Sequence, residues 1–168
     1  MTLVQRPPLE VTGRVRSVPP VLLAVVVAAV LHLLWWQFLA TSGGDIAAQD
    51  AWAEFARSQP DSAYNLAWYG GMHPVSYSVV SPYIMAQVGV RATMILAGTI
   101  SAGLLAWLIV SRTDHKRRWI PAVYGAIALA GNALSGRVTF ALGTVFALAA
   151  LCVVFAWPRT TGSTAERW

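Results

Sequence analysis

Four apolar runs dominate the sequence and set the first limit on how the chain can fold. They cover residues 21–40, 92–110, 120–134 and 138–157. A transmembrane helix needs ~20 mostly apolar residues to cross a hydrocarbon core of ~30 Å. The 168 residues are 57% hydrophobic and 11% charged, whereas soluble domains are roughly 45–50% apolar and about 25% charged. The chain is therefore predicted to be an all-α integral membrane protein with about four transmembrane helices.

The last two runs are predicted to form a helical hairpin. The third run is short, and four polar or turn-forming residues interrupt the last two runs near their junction: Asn132, Ser135, Gly136 and Arg137. Such residues interrupt helices and favour a tight connection. Two antiparallel helices are expected here rather than one long helix.

The distribution of Lys and Arg predicts the orientation of the helices. With a cytoplasmic amino terminus, nine of the 12 basic residues lie inside, and only Arg57, Arg91 and Arg137 lie outside. Cytoplasmic loops carry such an excess of Lys and Arg. This predicts a multi-pass protein of the cell membrane with a transmembrane domain at 19–158, an outer loop at 41–91, and cytoplasmic tails at 1–18 and 159–168. A signal peptide is the alternative interpretation of the first run, which is longer than the about 7–15 apolar residues typical of one.

The positive charge does not indicate nucleic acid as a partner. The formal net charge is +5, but the basic residues lie in short clusters beside the apolar runs, where anionic lipid headgroups attract them. Membrane lipid is therefore the expected partner. The single cysteine, Cys152, lies in an apolar run, so neither an internal disulfide nor a thiolate zinc site is predicted. No metal or other cofactor is expected.

The outer loop begins with a predicted amphipathic helix within residues 42–58. Gly43 and Gly44 open this segment and Pro60 ends it. At about 100° per residue, one side holds charged residues and the opposite side is apolar. The charged side has Asp50, Glu54 and Arg57, and the apolar side has Ala48, Trp52, Phe55 and Ala56. This pattern is typical of a helix that lies on the membrane surface.

Asp45 and Gln49 fall toward the apolar side of this helix, away from the solvated acids. An acid in the first turn can simply cap the helix, which stabilises it by about 1 kcal/mol. A carboxylate at such a surface can also accept a proton in catalysis. Both interpretations of Asp45 stay open from the sequence.

Residues 64–83 concentrate aromatic rings, hydroxyls, two prolines and a glycine pair at the predicted outer surface. An interfacial aromatic belt accounts for Trp68 and Tyr69. It accounts poorly for the turn at residues 70–74, which indicates a shaped pocket whose aromatic walls, including Tyr77, could stack on sugar rings. Whether the segment 76–90 dips into the membrane stays open.

Two further polar side chains have both a functional and a plainer interpretation. His73 could contact a phosphate or move a proton, or it could be only a hydrogen-bonding loop residue. Arg137, in the turn between the last two helices, could bind a phosphate or reach lipid headgroups without any ligand. His32, inside the first run, is expected to have a polar partner or to pack between helices.

The order of these parts resembles the C-superfamily of membrane glycosyltransferases (GT-C). A cytoplasmic start, a first span and an outer loop that opens with an acid are followed by a surface helix and an aromatic, proline-containing segment. More narrowly, Gly43-Gly44-Asp45 followed by Trp68-Tyr69-Gly70-Gly71-Met72-His73-Pro74 is similar to the amino-terminal part of large actinobacterial multi-pass membrane proteins of that kind. The resemblance covers about residues 19–157.

The resemblance implies a polyprenyl-phosphate sugar as donor and a carboxylate of the first outer loop as general base on the acceptor hydroxyl. That catalytic role falls on Asp45, and Arg137 or His73 would stabilise the leaving lipid phosphate. The predicted substrate-binding residues are Gln49, Trp68, Tyr69, His73, Tyr77 and Arg137. Members of the superfamily have more spans and often paired acids in this loop, so the chain is predicted to be an incomplete module or to need a partner membrane subunit.

Three functions stay open from the sequence. The first is a glycosyltransferase-like module in cell-envelope glycan assembly. The second is a non-enzymatic scaffold or a protein that binds lipid-linked sugar, and the third is a small transporter subunit with Asn132 and Arg137 at a helix break. Replacing Asp45 by Asn separates the first two, because an enzyme would lose turnover yet keep its ligand.

Overall fold

The computed structural model describes residues 19–40, 45–62, 64–66, 78, 80–113 and 116–156. The regular elements in these ranges are helices, which confirms the all-α fold class. In chain order they are α1 (Pro20–Phe38), α2 (Ile46–Ser58), α3 (Ser81–Val88), α4 (Val90–Arg112), α5 (Trp119–Ser135) and α6 (Val138–Leu151), followed by a π-helical turn at Cys152–Ala156.

Three helical segments are long and apolar enough to span a membrane: α1, α4 and the segment Val138–Phe155. The apolar helix α5 has 17 residues, or about 25 Å at 1.5 Å per residue, which is near the lower limit for crossing. Each predicted run agrees with its helical segment to within about two residues at the ends that the structure describes. These helices fit a multi-pass membrane protein.

Small residues let α1, α4 and α5 approach one another closely. One buried cluster consists of an alanine pair from each helix: Ala24 and Ala28, Ala102 and Ala106, and Ala122 and Ala126. Residues four apart lie on the same face of a helix. Because lipid tails are as apolar as leucine, helices in a membrane associate through such close packing rather than through the hydrophobic effect.

His32 continues the small-residue face of α1 by one turn and is fully buried. Its Nδ1 donates to the carbonyl oxygen of Ala28 at 2.7 Å. The imidazole ring lies against Gly98 of α4, where a Cβ atom would collide with it. The ring fills the space beside Gly98, which supports the packing interpretation of His32.

A second buried cluster joins one end of this bundle to α2 and α3. Its members come from all six helices: Trp35, Ile46, Ala53, Met85, Val90, Met94, Ala97, Ala133, Val138 and Ala141. We call this end of the bundle, where α1 ends and α4 begins, the α2 end. The opposite end carries the connection between α4 and α5.

The helix α2 is amphipathic, as predicted, and its apolar side is covered by protein. Its buried residues are Ile46, Gln49, Trp52, Ala53 and Ala56, and it packs against α3, α4 and α6. Ala48 and Phe55, also predicted on the apolar side, are half-buried. The apolar stripe therefore fixes α2 to the end of the bundle.

Part of the segment whose depth the sequence left open forms the short helix α3. Gly89 separates it from α4 and has a φ of 94°, a backbone region that favours glycine. The chain therefore turns directly from α3 into α4. The contacts of α3 are with α2, α4 and α6, and Met85 is fully buried among them.

Candidate functional site

The first turn of α2 lies against the tight turn between α5 and α6. Gly136 ends α5 with a φ of 70°, and its main-chain amide donates to the carbonyl oxygen of Ala133 at 3.1 Å. A Cβ atom on Gly136 would lie 2.5 Å from Cγ1 and 2.9 Å from the main-chain nitrogen of Ile46. Only glycine fits this contact, which brings the residues before Ile46 and after Gly136 together.

The contact places Asp45 beside Arg137, although 92 residues separate them in the chain. The Nε of Arg137 donates to Oδ2 of Asp45 at 3.2 Å, and the side chains are 51% and 62% exposed for Asp45 and Arg137. Asp45 precedes α2 but makes no side-chain capping hydrogen bond. Of the two interpretations of Asp45, capping is therefore the one that the geometry disfavours.

Gln49 lies one turn beyond Asp45 and is 3% exposed. Its Oε1 accepts a hydrogen bond of 2.9 Å from the Oγ1 of Thr139, so the buried amide oxygen has a partner. Thr139 was not predicted as a site residue, and it lies two residues after Arg137 in the mostly apolar fourth run. The one signal that could have identified Thr139 as a site residue is its hydroxyl at the start of α6.

These four side chains and the ring of Phe140 line a cavity of about 210 Å³. Ligand pockets for whole small molecules are larger, roughly 300–1,000 Å³, whereas one water in the liquid takes about 30 Å³. The cavity has room for a phosphate or a few hydroxyl groups. It is a polar subsite rather than a complete site for a lipid-linked sugar.

Three of the seven predicted site residues, Asp45, Gln49 and Arg137, line this one cavity. The other four are Trp68, Tyr69, His73 and Tyr77, which lie outside the described residues. The prediction of an aromatic pocket therefore stays untested. No group of three His, Cys, Asp or Glu residues that could hold a metal ion occurs in the part of the chain that the structure describes.

Two further arginines near the α2 end also form ion pairs, but each is tied to the main chain as well. Arg91 donates from Nη1 to Oδ1 of Asp50 at 3.2 Å and from Nε to the carbonyl oxygen of Ala40 at 3.2 Å. This network joins α4 to α2 and to the end of α1. Asp50, expected on a solvated side of α2, is thus also a tie between helices.

Arg57 pairs with Glu54 on the same helix. Its Nε and Nη2 also donate to the carbonyl oxygen of Ala86, at 3.2 and 3.1 Å. Among the described residues, the guanidinium of Arg137 has only Asp45 as a partner. Arg137 is therefore the arginine at the α2 end that a ligand can engage without releasing a main-chain carbonyl.

Charge differs between the two ends of the bundle. The α2 end comprises the described residues of segment 45–66, the start of α4 with Arg91, and Arg137 directly before α6. These residues include four acids and three arginines, so their charges nearly cancel. At the opposite end the described residues include Arg112, Lys116, Arg117 and Arg118 and no acid. The described part of the chain thus has one nearly neutral end and one basic end.

Chemically, the cavity combines a carboxylate, a guanidinium, an amide and a hydroxyl at the edge of an apolar helix bundle. A carboxylate can accept a proton, and a guanidinium binds phosphate through charge-assisted hydrogen bonds. Comparison with family models, with curated proteins and with solved structures found no match to this chain. The resemblance to membrane glycosyltransferases therefore stays a prediction.

Proposed function

We propose that this chain is a membrane glycosyltransferase-like module that binds a polyprenyl-phosphate sugar in cell-envelope glycan assembly. The observation that carries the proposal is the cavity in which Asp45, Gln49 and Arg137 meet at the α2 end of the bundle. The apolar helices on one side of this cavity suit a lipid, and its polar groups suit a sugar phosphate. The full activity would need further spans from a partner membrane subunit or a longer protein.

The orientation is part of the same proposal. The basic end of the bundle would face the cytoplasm, where Lys and Arg are in excess, and the α2 end would face outward in the cell membrane. Both termini would then be cytoplasmic. The cavity would open where lipid-linked sugars are used outside the cytoplasm.

In the proposed reaction, Asp45 accepts the proton of an acceptor hydroxyl as the oxygen attacks the anomeric carbon of the sugar. The bond between that carbon and the phosphate oxygen breaks, and the lipid phosphate leaves as an anion that Arg137 stabilises. Gln49 and Thr139 would orient hydroxyl groups in the cavity.

The ion pair between Asp45 and Arg137 must open for these roles, and its exposure makes this easy. Exposed ion pairs contribute roughly 0–1 kcal/mol, and a phosphate can replace the carboxylate as the partner of Arg137. The same event would release the carboxylate of Asp45. Donor binding and exposure of the general base would thus be coupled.

A second function, the non-enzymatic binding of lipid-linked sugar, is favoured by one specific observation. Among the described residues that line the cavity, only Asp45 carries a carboxylate, and that carboxylate is paired with Arg137. A protein that only binds a lipid phosphate needs the guanidinium and not a free base. The two functions make different predictions for Asp45.

The test is binding and turnover of polyprenyl-phosphate sugars by the protein in lipid nanodiscs. Arg137→Ala should weaken saturable binding, and Asp45→Asn should leave binding intact. Glu54→Gln removes another acid paired with an arginine on α2 and serves as the matched control, and Arg117→Ala removes an exposed cation at the other end.

For an enzyme supplied with its missing spans, Asp45→Asn abolishes sugar transfer, whereas a binding protein tolerates it. Absence of saturable binding by well-folded wild-type protein would refute both functions for this chain. Equal losses in Arg137→Ala and Arg117→Ala would show general charge attraction instead of a site.

A further inference from the structure

A second, larger cavity forms an apolar groove between α1 and α5. Its volume is about 450 Å³, and all nine residues that line it are apolar. They belong to the last two turns of α1, the residue after it, and the second half of α5. The groove therefore lies in the half of the bundle nearer the α2 end.

The groove ends close to the polar cavity. Its last lining residue on α5 is Leu134, three residues before Arg137. On the side of α1 the groove ends at Leu39, the residue after the helix. Leu39 directly precedes Ala40, whose carbonyl oxygen accepts a hydrogen bond from Arg91. A groove that is apolar along its length and ends three residues before Arg137 matches an amphiphile with a long chain and an anionic head.

The walls of the groove suit a flexible hydrocarbon chain better than another helix. Helices in membranes approach closely where small residues line the interface, but only Ala130 and Gly131 of the nine lining residues are small. Large exposed side chains form the rims, among them Phe38 at 71% and Leu134 at 68% exposure. Such rims would keep the backbone of a neighbouring helix at a distance from α1 and α5. A narrow space would then remain between that helix and the groove.

We propose that the groove between α1 and α5 binds the hydrocarbon chain of the anionic lipid whose phosphate is held at Arg137. This inference rests on the proposed function, because the lipid is the polyprenyl-phosphate part of the donor and leaves in that reaction as the lipid phosphate. The occupant is the isoprenoid chain of the lipid phosphate. Bilayer phospholipids and a second membrane helix are the competing occupants that the experiment separates.

Gly131 provides a direct way to block the groove. A Cβ atom at this position would have no neighbour within 4 Å, so Gly131→Leu places a side chain in the groove without a collision inside the protein. Gly143 of α6 also has open space around it and does not line the groove. Gly143→Leu is therefore the matched control, with the same change on a different helix.

The experiment uses the full chain in phosphatidylcholine nanodiscs with undecaprenyl phosphate that carries a photoreactive diazirine on its chain. The expected result is cross-linking to peptides of α1 and α5 in the wild type and in Gly143→Leu. In Gly131→Leu these cross-links should fall to roughly a tenth, because the new side chain occupies the space of the ligand. Binding measured without cross-linking should weaken in the same variant.

Several outcomes would overturn the inference. Cross-links spread evenly over the lipid-facing surface, or cross-links unaffected by Gly131→Leu, would show that the groove is not the site. Competition by excess phosphatidic acid as strong as that by unlabelled undecaprenyl phosphate would show that any anionic lipid fills it. Covalent capture of a second protein chain along α1 and α5 would show a helix in the groove.

The fate of the proposed function can be distinguished from that of the groove. If Arg137→Ala weakens binding but Gly131→Leu does not, the groove is refuted and the phosphate site at Arg137 is retained. If wild-type protein binds neither undecaprenyl phosphate nor a polyprenyl-phosphate sugar, the proposed function and the groove are refuted together.

Discussion

The contact between His32 and Gly98 offers a strict test of how α1 and α4 pack. A Cβ atom on Gly98 would collide with Nε2 and Cε1 of His32 and lie 3.1 Å from its Cδ2, and these three ring atoms are its nearest neighbours. Gly98 lies inside α4 and has no positive φ. The only expected penalty of Gly98→Ala is therefore the collision with the ring.

The expected magnitudes follow from this geometry. Gly98→Ala should gain about 0.5–1 kcal/mol in helix propensity but lose more than that to overpacking, so that the net destabilisation is roughly 1–3 kcal/mol. His32→Ala should also destabilise the protein, by roughly 2–4 kcal/mol, because it leaves a cavity. In the His32→Ala background, Gly98→Ala should become stabilising by about 0.5–1 kcal/mol.

The assay is reversible unfolding in mixed micelles, measured for the wild type, both single variants and the double variant. The change of sign in the double-mutant cycle corresponds to a coupling of about 1.5–4 kcal/mol, which reaches the upper end of the range for residues in contact. Gly131→Ala, with open space around its Cβ atom, is the control for propensity alone. An equal destabilisation by Gly98→Ala with and without the imidazole ring would refute the packing of α1 on α4 described above.

Two other predictions concern the α2 end. Gly136→Ala should destabilise the protein by roughly 2–4 kcal/mol, because alanine disfavours the left-handed backbone at this position and its Cβ atom would collide with Ile46. An effect as small as that of Gly131→Ala in the unfolding assay would contradict the packing of α2 on the turn at Gly136. Arg91→Ala should destabilise more than Asp50→Asn, because it also removes a hydrogen bond to a main-chain carbonyl that is worth about 0.5–1.5 kcal/mol. Equal losses in the same assay would show that only the ion pair matters.

The helices could be predicted from the sequence because length and hydropathy alone determine them. Runs of about 20 apolar residues have few alternatives to a membrane-spanning helix. The tight turn at Gly136 and the amphipathic helix α2 followed from local chemistry in the same way. The apolar side of α2 was predicted to lie on the membrane surface, but protein covers it. Periodicity shows that a face is apolar without showing whether lipid or protein lies against it.

The site residues were predicted one by one, but not their arrangement. Asp45 and Arg137 were each singled out for their chemistry, yet their pairing depends on the fit of Ile46 against Gly136, which no local pattern encodes. Thr139 and Arg91 were missed as partners for the same reason. Contacts between residues 41 to 92 positions apart in the chain require the tertiary structure.

The same contacts explain why Asp45 can be tested without disturbing the fold. The position of α2 is fixed by the close packing of Ile46 on Gly136, by the partly buried hydrogen bond between Gln49 and Thr139 and by the hydrogen bonds of Arg91. The exposed ion pair between Asp45 and Arg137 adds at most about 1 kcal/mol to this. Asp45→Asn keeps the shape of the side chain and removes its charge, so α2 should stay in place. A loss of turnover in this variant would then report on proton transfer rather than on structure.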